Sequence, residues 1–364
     1  MRAEEQQRHI SLVRELSMPG RALNATGPTA TVNNPAWLYL STGVPRRERA
    51  QLHARLKQAV MERYPEAKDG RRALVLAGPP GAGKGSVAQA VLGDDHDSFV
   101  TVDADEFKKL LLREALADGS YEAWIKPDAV RDLEAQGERF FPLELAALVH
   151  EESSMLAAAL REDLIATETN VVVDAVLGTE RSALDLGDRL AEAGYHVTVV
   201  DVEVPYEVSK DRIVQRWQEA MWEAETGHVD ALGGRWVPSE YARLLFDTEH
   251  GRSKSQDVAK TLAEKCPAVM RYELHYTSLE EHRASQQEQR PAVPVQEVAM
   301  ERRDEGKALV DAPLEGSPVL PASASLSFPG SARDAVRNTS NRTDNRSSAR
   351  SSPQGGRDYP EAER

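Results

Sequence analysis

The stretch ALVLAGPPGAGKGSVAQAVLG, residues 73–93, constrains this chain more than any other. A continuous apolar run predicts a buried strand over 73–78, and GSVAQAVLG predicts a helix. Between them, Gly78, four residues and then Gly83-Lys84 give the spacing of a phosphate-binding loop in its required strand–loop–helix setting. Gly78, Pro79, Pro80, Gly81, Ala82, Gly83, Lys84, Gly85 and Ser86 are the predicted nucleotide-binding residues. Their backbone N–H groups turn inward, and the helix N-terminus adds partial positive charge for ATP or GTP phosphates. Lys84 reaches the terminal phosphates. The hydroxyl residue that usually follows this lysine and holds magnesium is replaced by Gly85, so Ser86 becomes the nearest hydroxyl candidate.

Strand and helix patterns alternate beyond the loop. Strands are predicted over 98–103, 170–177 and 196–204. Helices are predicted over 46–66 on the Leu52, Leu56, Val60 and Tyr64 stripe, from Asp105, from Pro142, from Pro205 and near Pro238. Such alternation implies an α/β fold, a doubly wound and mostly parallel sheet flanked by helices. Three segments result: an N-terminal extension (1–45) with little structure of its own, packed through Trp37 and Leu38; a nucleotide-binding domain (46–290); and a linker with a disordered tail (291–364). The tail reading rests on its Ser, Pro, Gly, Arg and Asn content from about residue 313, too polar to offset chain entropy.

The formal net charge of −14 argues against a non-specific nucleic-acid binder, which needs a basic surface. One cysteine, Cys266, leaves no intramolecular disulfide and no multi-cysteine metal site. With no apolar run of spanning length and no signal-peptide pattern, the expectation is a cytoplasmic protein without membrane association.

In a doubly wound sheet, ligands sit at the carboxyl ends of the strands. TVDADEF places Asp103 and Asp105 there, and VVVDAV places Asp174. Such acids bind magnesium, accept the proton of an attacking hydroxyl or cap a helix; Asp103 divides evenly between cap and chemistry, while Asp105 and Asp174 favour chemistry. Glu152 falls on the inward stripe of the helix from 142, where a carboxylate must be paired or face a cleft. His150 and Glu151 read as solvated. Arg216 shares an inward face with Ile213 and Trp217, and Arg235 sits in ALGGRWVP, whose glycines suit a mobile lid.

These motifs in this order, LVLAGPPGAGKGS, VTVDADEFKK, NVVVDAVLG, RIVQRW and GGRWVPSEY, resemble the zeta toxin family over roughly residues 50–275. The resemblance implies a phosphate-loop kinase that phosphorylates the sugar 3′-hydroxyl of UDP-N-acetylglucosamine, using ATP and Mg2+, and that is restrained by a small antitoxin partner. Lys84 matches the family's loop lysine and Asp105 its general base. Asp174 matches its strand-end acid, and Arg216 and Arg235 the arginines on the transferring phosphate. Asp103, Glu152, Asp174 and Thr179 are the candidates for holding the sugar nucleotide, with Ser86 and Asp174 for the metal. The chain departs from the family at Ala175 and Val176, where hydroxyl residues are usual, and at the alanines of MLAAAL. Two other readings stand beside this one: a kinase of nucleoside monophosphates or antibiotics, and a non-catalytic ATP-binding interaction protein.

Overall fold

The computed structural model describes residues 3–227, 231–237, 239–246, 248, 251–304 and 306–314. Before the phosphate-loop core come α1 (Ala3–Leu16), the short hairpin strands β1 (Leu38–Tyr39) and β2 (Val44–Pro45), and α2 (Arg47–Met61). The core then runs β3 (Arg72–Ala77), α3 (Lys84–Leu92), β4 (Val100–Val102), α4 (Ala104–Asp118), α5 (Asp128–Ala135), α6 (His150–Ala166) and β5 (Val171–Asp174). It continues α7 (Glu180–Glu192), β6 (His196–Glu203), α8 (Tyr206–Glu225), α9 (Ser239–Leu245), α10 (Lys254–Lys265), β7 (Val269–Tyr276), α11 (Leu279–Gln287), β8 (Val295–Glu301) and β9 (Val310–Asp311).

The main sheet has the order β4-β5-β3-β6-β7-β8-β9. Strands β4 to β7 pair in parallel, and β8 and β9 add antiparallel edges. Alternate residues of β3 enter opposite apolar layers, Ala73 and Val75 on one face and Leu74 and Leu76 on the other. Burial on both faces is why the strand reads as an unbroken apolar run. The first layer takes the apolar sides of α2, α4, α6, α7 and α10. The second takes α3 and the start of α8. The mostly parallel sheet flanked by helices is the predicted fold.

Two segments depart from expectation. Residues 3–16 form a helix, and Val13, Leu23 and Ala30 are buried in the first core layer beside Leu38, so the N-terminal extension packs as part of the fold. Its apolar side chains are too widely spaced to announce this. Residues 295–301, assigned to a linker, pair with β7 as β8 and bury Gln296 and Ala299. The tail beyond residue 314 lies outside the described residues.

Candidate active site

The phosphate loop hangs between β3 and α3 and is held from behind by α8. Ser209 Oγ donates to the Pro80 carbonyl at 2.7 Å. Arg212 donates to the carbonyls of Gly81 and Ala82 at 3.1 and 3.0 Å. These bonds take up loop carbonyls and hold the loop to α8. Gly78 has φ +129°, and a Cβ there would lie 2.1 Å from the Val202 carbonyl oxygen. Gly85 is different: a Cβ there meets nothing within 4 Å. Lys84 extends along the loop, its Nζ donating to the Gly78 carbonyl at 3.1 Å and lying 3.7 Å from Asp174 Oδ1.

Facing Lys84 is a cluster of acids and cations at the ends of β4 and β5. Asp103 caps α4, its Oδ1 accepting from the Asp105 N–H at 2.7 Å. Asp105, on the first turn, lies 2.9 Å from Lys108 Nζ and 2.9 Å from an Arg235 guanidinium nitrogen. Burial alone would raise the Asp105 carboxyl, but Arg235 and Lys108, with Arg216 behind them, hold it well below the usual carboxylate range. Asp103 goes the other way: burial and the charges of Asp105 and Asp174 push it up to about 7. Burial also raises Asp174, against the opposing charge of Lys84. Burial and the adjacent Arg235 bring Arg216 down to about 10, and its field reaches Asp105, Asp103 and Asp174. Neighbouring carboxyls displaced in opposite directions are a feature of candidate functional sites.

Lys84, Asp103, Asp105, Asp174, Arg216 and Arg235 therefore form one cluster of interacting charges. The glycines of the Arg235 segment lie against neighbouring chain. A Cβ on Gly234 would lie 2.4 Å from the Trp217 carbonyl oxygen, and one on Gly233 2.2 Å from Phe141 Cβ. Leu232 accepts a backbone hydrogen bond from Leu143 at 2.9 Å, and Trp236 packs edge-on against Trp217. The glycines permit close backbone approach, which fixes Arg235 over Asp105.

Two predicted acceptor contacts have partners within the protein. Glu152 is fully buried and faces α2, where Arg49 Nε and Nη2 donate at 2.5 and 2.7 Å and His53 Nε2 lies at 2.7 Å. It forms an ion pair between α6 and α2, each carboxylate oxygen already accepting a hydrogen bond. Thr179 is exposed and caps α7 through Ser182. Lys108 and His150 were missed. Lys108 is one turn from Asp105 on the same helix face, a spacing that signals contact. His150, expected in solvent, is half-buried at the start of α6 within the field of Lys108, Asp105 and Arg235.

A magnesium ion fits these residues. Asp103 and Asp174 are like-charged carboxyls crowded together and raised in pKa, a repulsion that a dication relieves. Ser86 lies half-buried on the first turn of α3. Among the described residues, no group of three or more His, Cys, Asp and Glu side chains forms a cation cage. Magnesium at phosphate sites takes one or two protein oxygens and draws the rest from water and phosphate.

A phosphate loop at the switch of a parallel sheet, facing strand-end acids and converging arginines, defines a kinase-type phosphate-loop protein. The family model for Zeta toxin matches residues 57–271, more than half the chain. The chain belongs to the zeta toxin family. Among solved structures it is similar to the AvrRxo1-ORF1:AvrRxo1-ORF2 complex with sulphate ions. There identity is 19% and the TM-score 0.50, over 75% of this chain and 72% of that one. It is also similar to the PezAT chromosomal toxin-antitoxin system of the human pathogen Streptococcus pneumoniae. There identity is 13% and the TM-score 0.42, over 62% and 78%. At 19% identity the first likeness concerns the fold alone. No curated protein matches the chain.

Proposed function

We propose that this protein transfers the γ-phosphoryl group of ATP to a hydroxyl of a sugar nucleotide, the 3′-hydroxyl of the N-acetylglucosamine of UDP-N-acetylglucosamine. The observation that carries the reading is the cleft in which Asp105, paired to Arg235 at 2.9 Å, faces the phosphate loop through Lys84 and Asp174 at 3.7 Å. The loop N–H groups and Lys84 hold the nucleotide phosphates. Ser86 and Asp174 would hold magnesium, which offsets charge on the β- and γ-oxygens when bound.

The acceptor oxygen attacks the γ-phosphorus as the bond to the β–γ bridging oxygen breaks, and ADP leaves. Asp105 takes the hydroxyl proton. Arg216 and Arg235 offset charge on the equatorial oxygens, a role suited to delocalised cations. Arg235 holds the Asp105 carboxylate ionised before nucleotide arrives. As the guanidinium turns to phosphate, Asp105 loses a counter-charge and becomes a stronger base.

Family membership also supports action as a toxin with a protein antitoxin as partner. No described helix is long and apolar enough to cross a membrane. The test is incubation of the purified chain with ATP, Mg2+ and UDP-N-acetylglucosamine, followed by mass spectrometry of the sugar nucleotide. A gain of one phosphate on the sugar supports the reading. ATP consumed with phosphate on a nucleoside monophosphate instead, or no transfer to any acceptor, refutes it.

A further inference from the structure

Helix α1 precedes every motif of the site in the chain, and one side chain on it, His9, is buried. The His9 Nε2 lies 2.7 Å from Glu144 Oε1, and its Nδ1 lies 3.5 Å from Glu138 Oε2. Its ring centre is 5.0 Å from that of Phe140 and stacks on the Trp217 ring at 6.0 Å. Neighbouring side chains of α1 reinforce the contact. Arg8 pairs with Glu138, and Gln6 Oε1 accepts from Gln218 Nε2 at 3.2 Å.

From His9 two routes lead to Arg235. The first runs through Trp217, the residue after Arg216 on α8. A Cβ on Gly234 would lie 2.4 Å from the Trp217 carbonyl oxygen, and the Trp236 ring packs edge-on against the Trp217 ring at 6.0 Å. The indole N–H groups of both tryptophans are buried and make no hydrogen bond, so ring packing sets where these side chains lie. The second route runs through Glu144. Its Oε2 accepts from the Phe141 N–H at 2.9 Å, and a Cβ on Gly233 would lie 2.2 Å from Phe141 Cβ. The residues on either side of Arg235 therefore rest on Trp217 and Phe141, the two walls that His9 and its partner Glu144 hold. Loss of His9 would leave the buried Glu144 carboxylate without this partner and open a gap beside Trp217.

We infer that His9 is a positioning residue for phosphoryl transfer, setting through Trp217 and Phe141 the place of Arg235 over Asp105. The inference rests on the kinase reading above and deepens it, because it makes the amino-terminal helix part of the apparatus that orders the arginine on the phosphoryl group. The phosphate loop has its own supports in Ser209 and Arg212. Nucleotide affinity is therefore independent of His9, and turnover is not.

The test uses the full chain as wild type, His9→Ala, His9→Gln, Arg235→Gln and the double variant His9→Ala/Arg235→Gln. Hydrogen exchange by mass spectrometry reads the segments 231–237 and 71–93, and transfer from ATP to UDP-N-acetylglucosamine gives kcat and KM. In His9→Ala, exchange over 231–237 should quicken roughly tenfold while that over 71–93 stays within about twofold. Its kcat should fall roughly tenfold, with the KM for ATP within about twofold. His9→Gln keeps a donor for Glu144 and should recover part of the loss; it carries the same comparison if the alanine variant does not fold. In the Arg235→Gln background, His9→Ala should change kcat by less than about twofold, because the group it positions is gone. If wild type transfers no phosphate but 231–237 alone loosens in His9→Ala, the link from His9 to the Arg235 segment stands and the kinase reading falls. Unchanged exchange over 231–237, exchange quickened equally along the whole chain, or the same loss of kcat with and without Arg235 overturns the inference.

Discussion

Arg235 and Asp105, 130 positions apart in the chain, meet as an ion pair at 2.9 Å in the centre of the cleft. The pair joins the residue suited to take a proton to a residue suited to stabilise the phosphoryl group. It is held on one side by the cap of α4 and on the other by a loop packed against Trp217 and Phe141. Removing Arg235 should therefore have two separable effects. Arg235→Gln should lower kcat by two orders of magnitude or so, as loss of a transition-state cation does. It should also move the acid limb of the kcat/KM profile to higher pH. Asp105 must be ionised to act, and without Arg235 burial is opposed by fewer positive charges. Stopped assays across pH 4–9 read both, and a limb that stays in place would separate Arg235 from the base.

The fixed loop makes a second prediction. Gly234→Ala drives a Cβ to 2.4 Å from the Trp217 carbonyl oxygen, so the Arg235 segment must shift away from Asp105. Turnover should fall at least tenfold with little change in nucleotide affinity, because the phosphate loop lies on other supports. Single-turnover kinetics beside nucleotide titration would show the split. Unchanged turnover would mean that the segment moves freely.

The phosphate-loop glycines differ in the same way. Gly78→Ala brings a Cβ to 2.1 Å from backbone oxygen and should cost several degrees of Tm as well as nucleotide binding. Gly85→Ser enters open space on the first turn of α3 and should hold or raise stability, by about 0.5 kcal/mol on helix propensity. Thermal unfolding of the two variants side by side checks the contrast.

Asp103 gives a pH-dependent prediction. Its folded pKa of about 7 lies above the ordinary carboxyl value, so the native state retains the proton that the unfolded chain has lost. Its contribution therefore diminishes stability progressively as pH rises from about 4 to 7 and changes no further above that. Asp103→Asn keeps an oxygen for the cap and removes the charge. It should raise Tm by a few degrees at pH 8, with the gain vanishing near pH 4. A gain independent of pH would contradict the sign.

What the sequence revealed was local. The phosphate loop was legible because its function needs glycines at fixed spacing between a strand and a helix; Asp174 could be located because it ends an apolar strand, and Asp105 because it opens the helix that follows one. Pairings across the fold were not. Glu152 could be either a paired or a cleft residue because its partners, Arg49 and His53, lie about a hundred positions away on α2. Gly233 and Gly234 suggested motion, yet the residues that require their smallness, Phe141 and Trp217, come from two other segments. Strand β8 was hidden because a strand next to the sheet edge and half-facing solvent carries only a short, weak alternation.

The most direct measurement follows radiolabelled γ-phosphate from ATP into UDP-N-acetylglucosamine with wild type and Asp105→Asn, alongside nucleotide affinity for each. The predicted result is labelled sugar nucleotide from wild type and at least a hundredfold less from Asp105→Asn, at equal ATP affinity. Transfer by Asp105→Asn at the wild-type rate would contradict the assignment of Asp105 as the base on which the mechanism depends.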